Sequence, residues 1–500
     1  MQHQLLNQPS IKIQLALVGG LGLLLGMISV WLPPYFALVG IAGMIYLVVA
    51  WLWPEIALLV ILFFTSTIID LSNVSAIPSI PIGIGHLIIS DILLFALFGI
   101  ILLRVLVNSV SYLIHTPLDL PLLAFYGTAI LATVIGIINS RSTFNQSLDE
   151  IRTVSFFLTF FIVTNLVRKE KQLRRLYDGI ILLAIFAAIA MIAQYLLGNG
   201  IQILPGRVET LNTAGVSSYG VTRVLPPGQS LVLLGFVCVV VQFLFQRKSS
   251  RFVFYLIQVG ILGVAVLITF NRSFWVATIL ALFLLGLLVS LREKVMYVQI
   301  IFWAVLLGAF VLTPILIVKG DQAGTFVNGA TARLITIINP ATLQEPSVVY
   351  REIEDQYAYP QIASHPFLGL GLGANYRPWD NRLEGSIYTP DPLTYYIHNG
   401  HLWVMLKTGL IGYLFLICFL LLFVIRGLQN WYRLPNPFLK GMVLSFTIMV
   451  PGILLACFAD PIFQQSYWTP VIGVMLGMGE VALRTINDQS KDSPILEKLN

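Results

Sequence analysis

The chain has 500 residues, of which 57% are hydrophobic and 10% charged, and its mean hydropathy is +0.87. A soluble protein carries about a quarter charged residues, so a deficit spread along nearly the whole chain makes lipid the main solvent and excludes an ordinary water-soluble enzyme. The net charge of +6 and the pI near 9.1 give no argument for nucleic acid, because the basic residues sit mainly in short loops where they set topology.

In chain order, apolar runs of roughly 15–22 residues predict membrane helices. They cover 13–31, 35–52, 55–70, 88–107, 119–138, 152–167, 179–197, 229–246, 252–270, 274–291, 296–318, 401–425, 441–458 and 468–483. Pro54 interrupts the 35–70 region. The expected fold class is therefore all-α, a polytopic membrane protein of about 12–14 transmembrane helices. The N-terminal MQHQLLNQPSIKIQ leads into an apolar run with no small-residue cleavage site, so Ile13–Leu32 reads as a retained first span rather than a signal peptide.

The basic segments RKEKQLRR (168–175), QRKSSR (246–251), LREK (291–294), RGLQNWYR (426–433) and the tail after Leu483 fall on one side by span parity. With Lys12, Arg104 and Lys440, that side carries 18 of the 29 Lys and Arg, against ten opposite; Lys407 lies within a span. Both termini are then cytoplasmic. Residues 1–318 are expected to hold the first eleven helices and 319–400 one large external loop with short helices. Helices follow again over 401–483, with a cytoplasmic tail over 484–500. Cys238, Cys418 and Cys457 all fall in apolar runs, which argues against a disulfide framework or a zinc cluster.

Ionisable groups within spans are few, chiefly Lys407 and Glu480, with Asp91 and Asp178 near span ends. The polar residues that stand out gather at external helix ends, which favours chemistry at the outer boundary over a transmembrane relay. In TFNRSFW (269–275), Arg272 sits in a tight external turn, either as an interfacial arginine on lipid phosphate or as a fixed guanidinium for a phosphorylated ligand. In SVVYREIEDQYAYPQIASHPFLGLGLGANY (347–376), Arg351 opens an amphipathic helix expected to stop at Ser364-His365-Pro366. Gly369, Gly371 and Gly373 then give a flexible or closely packed turn, with no preceding strand to make it a dinucleotide site.

YYIHNGHLWVMLKTGLIG (395–412) starts a membrane helix with two histidines in or beside its first turn, Asn399 and Gly400 being plausible caps. His398 there suits a general base, a histidine satisfied at the interface, or a metal ligand with His401, for which no third ligand has convincing spacing. If the helix is continuous, Gly409 and Gly412 share a face with His398, a small-residue track that would admit a close-packed helix or an acyl chain, packing being the blander role. Lys407 falls on the opposite face, where it is expected to pair with a neighbouring helix.

The run His398-Asn399, nine residues, then Gly409-Leu410-Ile411-Gly412 resembles the H-[N/S/Q]-x9-G-x-x-G pattern of the O-antigen ligase and polymerase superfamily. HPFLGLGLGANY (365–376) is similar to that family's HP-x-x-G-x-G-x-G element, and Arg351 stands where an arginine precedes it. NRSFW resembles its S-R-G-x-W turn, with Asn271 and Ser273 departing from the pattern. The likeness runs from about Arg223 to Asp460. It implies glycosyl transfer at the periplasmic face of a bacterial inner membrane, from a polyprenyl-diphosphate-linked glycan to an acceptor hydroxyl on a lipid, a protein or another glycan. By the same resemblance no metal, cofactor or nucleic acid is involved, and the anomeric centre is inverted. His398 would be the base and Arg272 and Arg351 the diphosphate ligands; Arg223, His365, Asn399 and Tyr396 are further candidates for substrate contact. Ligase and polymerase stay open, and transport, linked to inorganic-carbon uptake in some members, is the rival reading.

Overall fold

In the computed structural model the described residues are 34–66, 79–81, 86–108, 113–198, 200–204, 206–213, 216–246, 252–295, 297–299, 346–380 and 394–491, with a few isolated positions besides. The expected spans over 13–31 and most of 296–318, and the end of the C-terminal tail, lie outside them. Helices α1 (Pro34–Leu52), α2 (Pro54–Ser66), α3 (Ile89–Asn108) and α4 (Asp119–Ile138) come first. Next are α5 (Phe144–Ser155), α6 (Thr159–Leu166), α7 (Glu170–Leu197), α8 (Gln229–Phe245), α9 (Phe252–Ile268) and α10 (Arg272–Leu288). The chain then forms α11 (Pro346–Ser364), α12 (Gly400–Asn430), α13 (Pro437–Ala456) and α14 (Thr469–Lys491). Two small antiparallel hairpins interrupt the helices: β1 (Ser79–Pro81) with β2 (His86–Ile88), and β3 (Arg207–Thr213) with β4 (Val216–Leu225). The protein is thus an all-α polytopic membrane protein. Helices α3, α4, α7, α12, α13 and α14 are long and apolar enough to cross a bilayer, and shorter apolar helices accompany them.

The exposed faces carry rows of large apolar residues, such as Leu102 and Leu106 on α3, Ile130 and Val134 on α4, and Leu414, Leu421 and Ile425 on α12. In water such rows would aggregate, whereas in lipid they are the outer wall. Of the helices long enough to cross, α13 and α14 are the most enclosed, and the shorter α8 is almost wholly buried as well. Glycines make their close approaches possible: a Cβ at Gly473 would meet the Phe157 carbonyl at 2.9 Å, and one at Gly477 the Phe160 carbonyl at 3.1 Å.

The continuous span expected over 152–167 is not one helix. Helix α5 ends at Ser155, a 3-10 turn covers Phe156–Leu158, and α6 runs only from Thr159 to Leu166. The break is held locally and against the enclosed helix α14. Thr469 Oγ1 donates to the Thr153 carbonyl at 2.7 Å, and Thr159 Oγ1 reaches the Phe156 and Pro470 carbonyls at 2.8 and 3.2 Å. Irregular backbone is tolerated within a membrane protein where protein groups bury and satisfy it in this way.

Several ionisable groups within or beside the helices are held in pairs. Glu480 takes Arg426 through two bonds of 2.9 and 3.0 Å, Glu55 pairs with Arg175 at 3.0 Å, and Asp91 pairs with Arg152 at 2.9 Å. Lys407 pairs with Glu150 of α5 at 2.9 Å and donates to the Ala374 carbonyl at 2.6 Å.

Candidate active site

Helix α12 is broken rather than continuous. At Gly409 the backbone has φ 67° and ψ −175°, so the residues beyond it do not continue the face that His398 begins. An unbroken helix would pair Leu410 N with the Leu406 carbonyl and Ile411 N with that of Lys407. The loop after α11 takes all four groups instead. The Pro366 and Phe367 carbonyls accept from Leu410 N (2.7 Å) and Ile411 N (3.3 Å), while Leu370 N and Gly371 N donate to the Leu406 (2.7 Å) and Lys407 (3.0 Å) carbonyls. A Cβ on Gly409 would fall onto the Phe367 carbonyl, and one on Gly369 would lie 2.5 Å from that of Leu406. The two glycine-bearing motifs are therefore mates, one the break and the other its filling.

The filling is closely packed. Leu372 N donates to Thr133 Oγ1 at 3.2 Å, Gly373 N to Glu150 Oε2 at 2.5 Å, and the Leu372 carbonyl accepts from Ser147 Oγ at 2.9 Å. Lys407 closes the unit by holding both Glu150 and the Ala374 carbonyl, so its position in the span serves the loop. Gly412 lies on the far side of the break against Thr408 and against Thr128 of α4.

This docking sets α11 alongside the first segment of α12. Glu354 bonds His398, and Pro366 bonds Leu410 with the same offset in sequence, so the two segments run parallel for about 18 Å at ~1.5 Å per residue. Asn399 caps α12, its Oδ1 accepting from His401 N (3.0 Å) and Leu402 N (3.2 Å). The cap leaves His398 at the helix entrance with its side chain 30% exposed. Glu354, 1% exposed, accepts from the His398 backbone N at 2.9 Å and lies 3.0 and 3.1 Å from Nδ1 through its two oxygens. The rings of Tyr350 and Tyr396 stand edge-on to the imidazole, with centroids at 5.4 and 4.9 Å.

Arg351 is one turn before Glu354 on α11 and half-buried. Tyr396 feels Arg351 and Arg207 together with the Glu354 and Asp460 carboxylates; burial, then the carboxylates, push its phenol well above the usual range. Asp460 in turn clasps the Arg272 turn: Asn271 Nδ2 lies 3.3 Å from it, and the Ser273 hydroxyl bonds it directly. Asn271 also caps α10 through Ser273 N at 3.2 Å. The two residues that depart from the family-like turn are thus the ones that lock Arg272 in place. Gly400 N donates to the Cys457 carbonyl at 2.8 Å, which brings the Asp460 loop against the start of α12.

Arg223 on β4 also reaches this region. Its Nε donates to the Thr269 carbonyl at 3.0 Å and its Nη1 pairs with Glu209 at 3.2 Å, tying the β3–β4 hairpin to the Arg272 turn. Burial draws the guanidinium below its usual pKa, and Glu209 opposes that shift. The structure therefore gathers His398, Tyr396, Asn399, Arg351, Arg272 and Arg223 at one end of the bundle. His365 is elsewhere, eleven residues beyond Glu354 or about 16 Å along the helix, bonded to Ser364 Oγ at 2.9 Å. Gly409 and Gly412 lie below the site as packing positions. His401 points away from His398. Its Nε2 bonds the Leu454 carbonyl (2.8 Å) and its Nδ1 the Tyr413 hydroxyl (3.2 Å), leaving neither nitrogen for a metal. Among the described residues no group of three or more His, Cys, Asp or Glu is placed to hold a metal ion.

Sequence reasoning passed over Glu354, Asp460, Glu150 and Tyr350. Glu354 had a local signal, since it lies three residues after Arg351 on the buried face of an amphipathic helix. Asp460 and Glu150 had none, because their partners are far away in sequence. Residues 257–417 match the family model described as O-Antigen ligase, a similarity confined to that segment. No curated protein matches the chain.

Proposed function

We propose that this chain, whose residues 257–417 resemble the O-antigen ligase family, is a membrane glycosyltransferase that moves a glycan from a polyprenyl-diphosphate donor to an acceptor hydroxyl. The site faces the periplasm at the outer surface of the inner membrane, and transfer is metal-independent and inverts the anomeric carbon. His398 removes the proton of the acceptor hydroxyl as that oxygen attacks. Arg272 and Arg351 hold the diphosphate and neutralise the charge that grows on it as the glycosidic bond breaks. The observation that carries this reading is the convergence of a partly exposed histidine with two arginines from distant elements. All three residues lie within the matched segment.

Two further observations support the division of roles. The Arg272 turn is anchored from both sides of the arginine by Asp460, which suits a cation that must stay in place when the leaving group departs. Lys407 and Glu480, the main charges inside spans, are consumed by Glu150 and Arg426, which speaks against a transport path built on them. Ligase and polymerase share this chemistry and differ in the acceptor.

The test is His398→Ala in a deletion strain. Surface glycan should be lost and lipid-linked glycan should accumulate, while the protein stays folded in the membrane. Undiminished surface glycan would sink the proposal. In the deletion strain itself, loss of all long chains marks a ligase, and single repeats retained on the acceptor mark a polymerase.

A further inference from the structure

We propose that Glu354 is the positioning residue of His398, selecting the imidazole tautomer whose Nε2 lone pair receives the acceptor proton. This rests on the reading of His398 as base and extends it to a residue 44 positions away. The argument begins with donor and acceptor counting. An ionised carboxylate only accepts hydrogen bonds, and both oxygens of Glu354 lie within 3.1 Å of Nδ1, so Nδ1 carries the proton. In a neutral imidazole the other nitrogen then holds the lone pair. No described residue bonds Nε2 of His398, whereas both its backbone N and Nδ1 are taken by Glu354.

The carboxylate also fixes the direction of the ring. Glu354 Oε2 accepts from the backbone N of His398 at 2.9 Å, which ties the acid to the same residue whose side chain it orients. The perpendicular rings of Tyr350 and Tyr396 limit rotation about χ2. During transfer the acceptor O–H proton moves to Nε2, and the oxygen's electron pair forms the new bond to the anomeric carbon. The bond from that carbon to the diphosphate oxygen breaks, and its electrons leave with the phosphate. The imidazolium so formed faces an anion across Nδ1, so the carboxylate favours the transition state as well as the tautomer.

Glutamine separates this role from packing. It has the volume of glutamate, but one of its two terminal atoms donates. Turning the NH2 toward the His398 backbone N would set two donors against each other. The amide oxygen therefore takes that position and the NH2 faces Nδ1. That arrangement places the proton on Nε2 and hides the base, with the local fold kept.

The experiment measures initial rates in vesicles of purified variants, using as donor the lipid-linked glycan extracted from a deletion strain. Glu354→Gln should lower kcat by about 10²–10⁴-fold while the donor KM changes by less than about threefold. Glu354→Asp, still acceptor-only, should keep more activity than Glu354→Gln. The double variant Glu354→Gln/His398→Ala should be no slower than His398→Ala alone, because a residue acting through the base has nothing left to lose. A further loss in the double variant, or full activity in Glu354→Gln beside an inactive His398→Ala, overturns this inference and leaves the base assignment standing. Full activity in His398→Ala overturns both.

Discussion

Replacing Lys407 by methionine tests whether the buried pair beneath the site is structural. Lys407 is wholly buried and Glu150 is 6% exposed, with 2.9 Å between them. Methionine keeps most of the aliphatic volume, so the cavity term is small. Glu150 keeps the bond from Gly373 N but loses its cation, and the Ala374 carbonyl loses its donor. Breaking one side of a buried pair typically costs about 3–5 kcal/mol, because the remaining charge stays desolvated. In Lys407→Met/Glu150→Gln the charge is gone, and the amide oxygen still accepts from Gly373 N. That double variant should lose only about 1–2 kcal/mol, the worth of the remaining polar mismatch. The assay is the unfolding free energy of purified protein in mixed micelles under denaturing detergent, read beside surface glycan in cells. The single variant should be the less stable, and the double variant should recover glycan assembly. A single variant that loses under about 1 kcal/mol, or a double variant no more stable than it, refutes the reasoning, since about 3 kcal/mol is the least such a pair costs to break.

Two other substitutions probe the site and the break below it. Arg272→Lys and Arg351→Lys keep the charge but lose the planar fork; each should cut glycan transfer about 10–10³-fold with the protein still inserted, read from initial rates with extracted donor. Gly409→Ala should destabilise the protein by more than about 2 kcal/mol, because the position needs φ 67° and the added Cβ would strike the Phe367 carbonyl; the micelle unfolding assay checks it.

Much of the fold was legible because a bilayer writes itself into composition. Long apolar runs at α3, α4, α7, α12, α13 and α14 need no tertiary knowledge to be read as helices, since a backbone in lipid has few other ways to satisfy its polar groups. The candidate residues were legible through spacing: His398 ahead of a capped helix, the glycines three turns below it, and an arginine in each of two further elements. Where the run over 152–167 broke into α5, a 3-10 turn and α6, the reason lay in α14, more than 300 residues away, whose threonine and glycines accept the irregular backbone. Periodicity carries no trace of such a partner.

The sequence alone determined a polytopic helical protein with its polar chemistry gathered at helix ends. Tertiary structure decided what those polar groups do. It showed that Gly409 breaks α12, that the HPFLGLGLG loop supplies the missing backbone partners, and that Lys407 serves the loop through Glu150. It tied Arg223 to the Arg272 turn and set His365 apart from the site. It also brought Glu354 onto His398. The physical reason is the same throughout: helix formation in lipid is set by each segment's own residues, whereas a buried charge or an unpaired carbonyl is settled by whatever group the rest of the chain brings within about 3 Å.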